Sequence, residues 1–192
     1  MYRLLLSLLS LSTVHAAALP PCAYEDRHTP LTSYSDWPYT PLDMLFKLPQ
    51  TYAPDDLVSV SDAGVGTEAM YIRGLVMPDL RALLTAATAA GVHLEVQSAY
   101  RGYSYQAQTF DSWVAQDGHE VALKSSARAG HSEHQLGTAL DFRSADGPPA
   151  WDLDDWGATR EGSWMAHNAS RFGFVMSYPR GKDAVAWTPL PN

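Results

Sequence analysis

Within the segment GHSEHQLGTALDF, His134 and Asp141 are the residues whose types and spacing bear most directly on chemistry. A hydrolytic zinc site needs three ligands drawn from His, Asp or Glu, one open position for water, and a nearby carboxylate to take that water's proton. His134 and Asp141 supply two such ligand types. Seven residues apart, they cannot be helical neighbours one turn apart, but a loop running into a strand can bring them together. Gly137 lets the backbone turn closely, and Gly137, Thr138 and Ala139 keep bulk away from a metal. On ligand chemistry alone, a surface histidine followed by a strand-end aspartate accounts for the pair better than a metal site does.

The flanking pattern predicts the elements that must hold these residues. Pro78 suits the first turn of a helix, and Leu80, Leu83, Leu84 and Ala87 carry its apolar period up to Gly91. Val92, Leu94 and Val96 then alternate with polar residues as a half-buried strand ending at Ser98 to Gly102. A helix is expected over Tyr105 to Val114 with Ser104 as its N-cap, which puts Gln106 in the first turn. The stretch 117 to 130 is polar, and Thr138 to Phe142 alternates as a short strand. A last helix runs from Ser163 to Arg171, stopped by Gly173, with Phe174 to Tyr178 as a closing strand. Alternating helices and strands allow a parallel sheet, but short strands and irregular spacers equally allow an α+β domain with an antiparallel sheet.

The chain opens with Arg3 and an apolar run from Leu4 to Val14, too short to cross a bilayer as a helix, and small residues at Ala16 and Ala18 suit cleavage. Residues 1 to 18 therefore read as a signal peptide, with export to a periplasm or the exterior and no membrane span in the mature chain. The remainder has the length of one domain, with residues 19 to 77 an irregular wrap and 78 to 192 the carrier of the site. The single cysteine, Cys22, rules out an intramolecular disulfide. A net charge of −8, from 13 basic and 21 acidic residues, argues against a nucleic-acid partner. The acidic stretch Asp146 to Glu161 reads as a solvated loop rather than a calcium site.

Taken together, SAYRGYSYQAQ (98 to 108), GHSEHQLGTALDF (130 to 142) and WMAHNASRFGFVMSYPRGKDAV (164 to 185) resemble the D-alanyl-D-alanine carboxypeptidase family of zinc peptidases, in order and spacing. The resemblance implies the small α+β fold shared with the hedgehog signalling domain, with helices flanking a small antiparallel sheet. It also implies a peptidoglycan stem peptide ending in a D-amino acid as substrate. His134 and Asp141 become zinc ligands. Arg101 becomes the contact for the terminal carboxylate or the oxyanion, and Gln106 and Ser132 become hydrogen-bonding partners of the peptide. His131 is not a ligand position in the family and is expected behind the site or facing solvent. His167 is expected to be part-buried on the last helix, and the tryptophans 151, 156, 164 and 187 to be mostly in the core.

The family closes on a segment near Glu-Pro-Trp-His, whose Glu is the general base and whose His is the third ligand. Here the residues read Trp187-Thr188-Pro189-Leu190-Pro191-Asn192, with Leu190 at the base position. Leucine cannot accept a proton, and loss of a general base costs about two to four orders of magnitude in rate. The sequence is therefore compatible with a truncated or frameshifted member with impaired hydrolysis, with a non-catalytic wall-peptide binder, or with a stem-peptide endopeptidase whose base comes from elsewhere, such as Glu133. His131 is the candidate substitute ligand.

Overall fold

The computed structural model describes residues 25–177. The expected signal peptide, Cys22, Trp187 and the last residues lie outside them. The described chain runs β1 (Arg27–His28), β2 (Phe46–Lys47), β3 (Leu57–Ser59), β4 (Tyr71–Arg73), α1 (Met77–Ala89), β5 (Leu94–Ser98), α2 (Tyr103–Asp117), α3 (His119–Ser125), β6 (Asp141–Ser144) and α4 (Arg160–Asn168), with short 3-10 turns between. β3 pairs with β4 and β5 with β6, both antiparallel, while the two-residue β1 and β2 pair in parallel. The architecture is α+β with small antiparallel ladders flanked by helices, as the sequence led one to expect.

The core explains why these elements form. Met77, Leu80, Leu83 and Ala87 are the buried stripe of α1, and Leu80 and Leu83 have no exposed surface. They pack against Val92 just before β5, Leu94 and Val96 of β5 and Phe142 of β6, joined by Val60, Ile72 and Val76 from the segment before α1. Each of the Leu, Val, Ile, Met and Phe side chains among them contributes about 1.5–3 kcal/mol through burial. A second cluster of Leu42, Leu48, Tyr52 and Leu136 pins the N-terminal segment to the loop that carries His134.

Several boundaries differ from expectation, each for a local reason. α2 begins at Tyr103 on Gly102, with no side-chain cap, so Ser104 lies inside the first turn rather than capping it. The polar stretch 117 to 130 contains α3, anchored by fully buried Ala122 and by the edge-on contact of His119 with Phe110. The ladder of β6 starts at Asp141 rather than Thr138, because β5 ends at Ser98 and the Ala99 carbonyl is taken by His134. α4 starts three residues early, since the Thr159 hydroxyl accepts from Gly162 N, and it passes into a 3-10 turn over Ala169–Phe172. Gly173 does take the left-handed conformation, φ 81°. Residues 174–177 are not a strand: Phe174 N closes the preceding turn on Ala169 O, and its ring meets Phe142 edge-on.

The N-terminal segment is fastened electrostatically as well. Asp26 accepts from Arg128 Nη2 at 2.8 Å and Lys47 Nζ at 3.2 Å, with His131 Nε2 at 3.5 Å. Burial pushes the Asp26 carboxyl up, but Arg128, Lys47 and His131 together outweigh burial and hold it well below the ordinary carboxylate range. A depressed native value means stability that is fully present above the unfolded value of about 3.9 and is lost as pH falls below it. Wild-type protein will therefore lose more melting temperature between pH 7 and pH 3 than the Asp26→Asn variant does. Equal losses in thermal melts at the two pH values would refute this role.

Candidate active site

The site is made where the β5–β6 ladder breaks step. Val96 faces Phe142, but the next pair is Ser98 with Asp141, so Gln97 is an extra residue forming a bulge. In an unbroken ladder Gln97 would oppose Asp141 and Ser98 would point with Val96 toward the core. The bulge re-aims Ser98, and its hydroxyl donates to Asp141 Oδ2. Ser98 is the residue that sequence reasoning passed over; no type or spacing marks it, because its role comes from the bulge.

His134 reaches the same point from the other side. It sits in a 3-10 turn over Glu133–Leu136 that begins at Ser132, whose hydroxyl accepts from His134 N at 3.3 Å, and ends at Gly137. Gly137 has φ 77°, and a Cβ there would lie 2.9 Å from Arg73 Cγ, so both the turn and the packing on β4 require glycine. His134 is 9% exposed, and its Nδ1 donates to Ala99 O at 2.7 Å. That bond orients the ring and turns Nε2 toward Asp141 Oδ2, 3.3 Å away.

These residues fit zinc. Bonds of about 2.0–2.1 Å in a tetrahedron place two ligand atoms about 3.3 Å apart, the separation seen here. A carboxylate and an imidazole oriented through its far nitrogen are also the donor types that zinc takes. The Asp141 carboxyl is raised by burial, yet His134, Ser98 and Arg101 lower it further still, so it is ionised at any ordinary pH. Among the described residues, no group of three or more His, Cys, Asp or Glu side chains could hold a metal.

Arg101 completes the cluster. Its Nη1 is 2.8 Å from Ser98 Oγ and 3.5 Å from Asp141 Oδ2, and its Nε donates to Gln106 Oε1 at 2.8 Å. Gln106 has no exposed surface, and its amide donates to Ala127 O at 2.7 Å and Ser126 Oγ at 3.2 Å. In this conformation Gln106 orients the arginine and is not open to a peptide. Ser132 is likewise buried, at 3% exposure, behind His134.

The remaining histidines lie elsewhere. His131 is buried rather than facing solvent, and its Nδ1 bonds to Asp43 O at 2.6 Å while Nε2 faces Asp26. Both ring nitrogens are directed to the N-terminal segment, which removes His131 as a substitute ligand. His167 is exposed, not part-buried, and hydrogen-bonds Ser163 O of its own helix at 2.7 Å. Glu133 Oε2 accepts from Ser177 Oγ at 2.6 Å. Trp156 and Trp164 pack on the core, whereas Trp151 is 57% exposed.

The carboxylate of Asp141, the imidazole of His134 and the guanidinium of Arg101 thus converge at one end of the β5–β6 ladder of a small α+β domain. The profile of the VanY family, described as D-alanyl-D-alanine carboxypeptidase, matches residues 69–189, and the chain belongs to that family. It is 34% identical over 145 residues to the Bacillus subtilis (strain 168) protein YodJ, which covers 73% of this chain and 52% of that protein. The chain thus spans about half the length of this curated relative. Among solved structures, it resembles the LD-carboxypeptidase LdcB with a TM-score of 0.65 and 32% identity, over 77% of this chain and 70% of that one. It also resembles a vancomycin-resistance D,D-pentapeptidase VanY variant in complex with Zn(II), with a TM-score of 0.65 and 27% identity over 79% and 83% of the two chains.

Proposed function

We propose that this chain is a zinc-dependent exopeptidase-type protein that takes peptidoglycan stem peptides by their C-terminal D-amino acid. The observation that carries the reading is the His134 Nε2 to Asp141 Oδ2 separation of 3.3 Å, with Nδ1 already committed to Ala99 O. Zinc held there supplies a Lewis acid that polarises the scissile carbonyl and lowers the pKa of bound water. The protein's own part is to hold the two ligands and to offer the Arg101 guanidinium to a terminal carboxylate or to the oxyanion of attack. Wall peptides lie outside the cytoplasm, so the reading goes with export, in keeping with the apolar run Leu4 to Val14.

Ser98 is the positioning residue of this scheme, because one hydroxyl ties the Asp141 ligand to the Arg101 anchor. Ser98→Ala will lower zinc affinity by about 10–100-fold, the usual range for a group that orients a ligand, and Ser98→Thr will restore it. Unchanged zinc titration in Ser98→Ala would contradict that role.

The function itself is tested by incubating the zinc-supplemented chain with a stem pentapeptide, monitoring peptide retention and the release of single residues by mass spectrometry. Zinc-dependent retention with at most slow loss of one C-terminal D-alanine is the expected result, since Leu190 stands where the general base would be. Retention of intact peptide would assign a binding protein on the same fold, and no zinc-dependent retention would refute the reading.

A further inference from the structure

The turn that carries His134 has little support of its own. It spans only Glu133–Leu136 and closes on two backbone bonds, Gln135 N to Ser132 O at 3.0 Å and Gly137 N to His134 O at 3.2 Å. Such 3-10 turns have poorer hydrogen-bond geometry than an α-helix, which is why they occur in short pieces. The N-terminal segment 26–54 straps this turn from outside. Leu48 N donates to Gly130 O at 2.8 Å, and Gly130, at φ 88°, approaches so closely that a Cβ there would stand 3.0 Å from Leu48 O. Gln135 has no exposed surface, and its amide donates to both Pro49 O at 3.1 Å and Tyr52 O at 3.2 Å. Those carbonyls are the two ends of one strap turn, closed by Tyr52 N on Pro49 O at 3.0 Å. Farther along, the strap holds Arg128 through Asp26 and His131 through Asp43 O.

We infer that the strap is a positioning element of the metal site, with Gln135 the positioning residue that sets the His134 imidazole against Asp141; the inference rests on the zinc reading above. Successive side chains leave a 3-10 turn about 120° apart, so His134 and Gln135 point in different directions. The bonds from His134 Nδ1 to Ala99 O and from Arg101 N to His134 O hold one side of the turn. The two Gln135 bonds hold another, and the pair of anchors stops the turn from rotating about its axis. The 3.3 Å between Nε2 and Asp141 Oδ2, which suits a shared ion, thus depends on carbonyls 86 and 83 residues earlier in the chain. The coupling is reciprocal: a loosened strap weakens zinc binding, and bound zinc holds the strap closed by the same factor.

The test uses the full chain and zinc itself, with affinity read by competition against a chromophoric chelator and strap opening read by hydrogen exchange over residues 42–54. Gln135→Met, which keeps the volume and removes both donors, is expected to lower zinc affinity about tenfold, the low end of what a group that orients a ligand contributes. In the wild-type protein, saturating zinc is expected to slow exchange over 42–54 about tenfold by the same linkage, and by more than over α4. In His134→Ala that zinc-dependent slowing is expected to vanish. A residue that only supports the fold would leave strap exchange indifferent to zinc. Equal zinc affinity in wild type and Gln135→Met overturns the strap assignment and leaves the zinc reading standing. Should Gln135→Met fail to fold, the wild-type exchange decides, and zinc protection over 42–54 no greater than over α4 overturns the assignment. No zinc affinity in the wild-type protein overturns both.

Discussion

His134→Ala will lower the zinc affinity of the protein by more than about 100-fold, beyond the range expected for loss of an orienting neighbour alone. The reason is geometric. The imidazole Nε2 is one of two donors set 3.3 Å apart, and its orientation comes from the Nδ1 bond to Ala99 O. Removing the ring leaves Asp141 with Ser98 and Arg101, neither of which is a usual zinc ligand. Folding will survive, because the ring contributes little to either apolar cluster and the turn is held by Ser132 and Gly137. Zinc titration monitored alongside circular dichroism checks this, and an unchanged zinc affinity would place the metal elsewhere.

Gln106→Ala will be the most damaging single change at the site for stability, costing about 2–4 kcal/mol. The side chain is fully buried, and its loss leaves Ala127 O, Ser126 Oγ and Arg101 Nε each without the partner it has here. Arg101 also loses the bond that aims it, so peptide binding will weaken along with the fold. Gln106→Glu separates the two effects: it keeps an acceptor for Arg101 but no donor for Ala127 O. Urea midpoints and peptide affinities of both variants check the assignment, and a cost below about 0.5 kcal/mol for Gln106→Ala would contradict it.

The legible parts of this protein are those whose signal is local. The stripe of Leu80, Leu83 and Ala87 announces α1, and Leu94 and Val96 announce β5, because each records which side of one element meets the core. His134, Asp141 and Arg101 are also legible, through residue type and motif, and the fold brings them together at the bulge. The parts that sequence does not convey are tertiary. Ser98 acquires its role from a register shift, and Gln106 turns inward to Ala127 because α3, with one fully buried residue, closes over it. His131 is three residues from His134, yet its partner Asp26 is distant in sequence, so no local pattern reveals which way the ring faces. Phe174 to Tyr178 carries strand-forming residues, but over 174–177 no neighbouring strand offers a ladder, and packing on Phe142 decides the conformation.

The most direct measurement is an anomalous-difference map from crystals of the protein grown with zinc. A single strong peak bonded to His134 Nε2 and the Asp141 carboxylate, at about 2.0–2.1 Å from each, is the predicted result. A peak at the Asp26–His131 cluster instead, or no peak at saturating zinc, would contradict the assignment of this site.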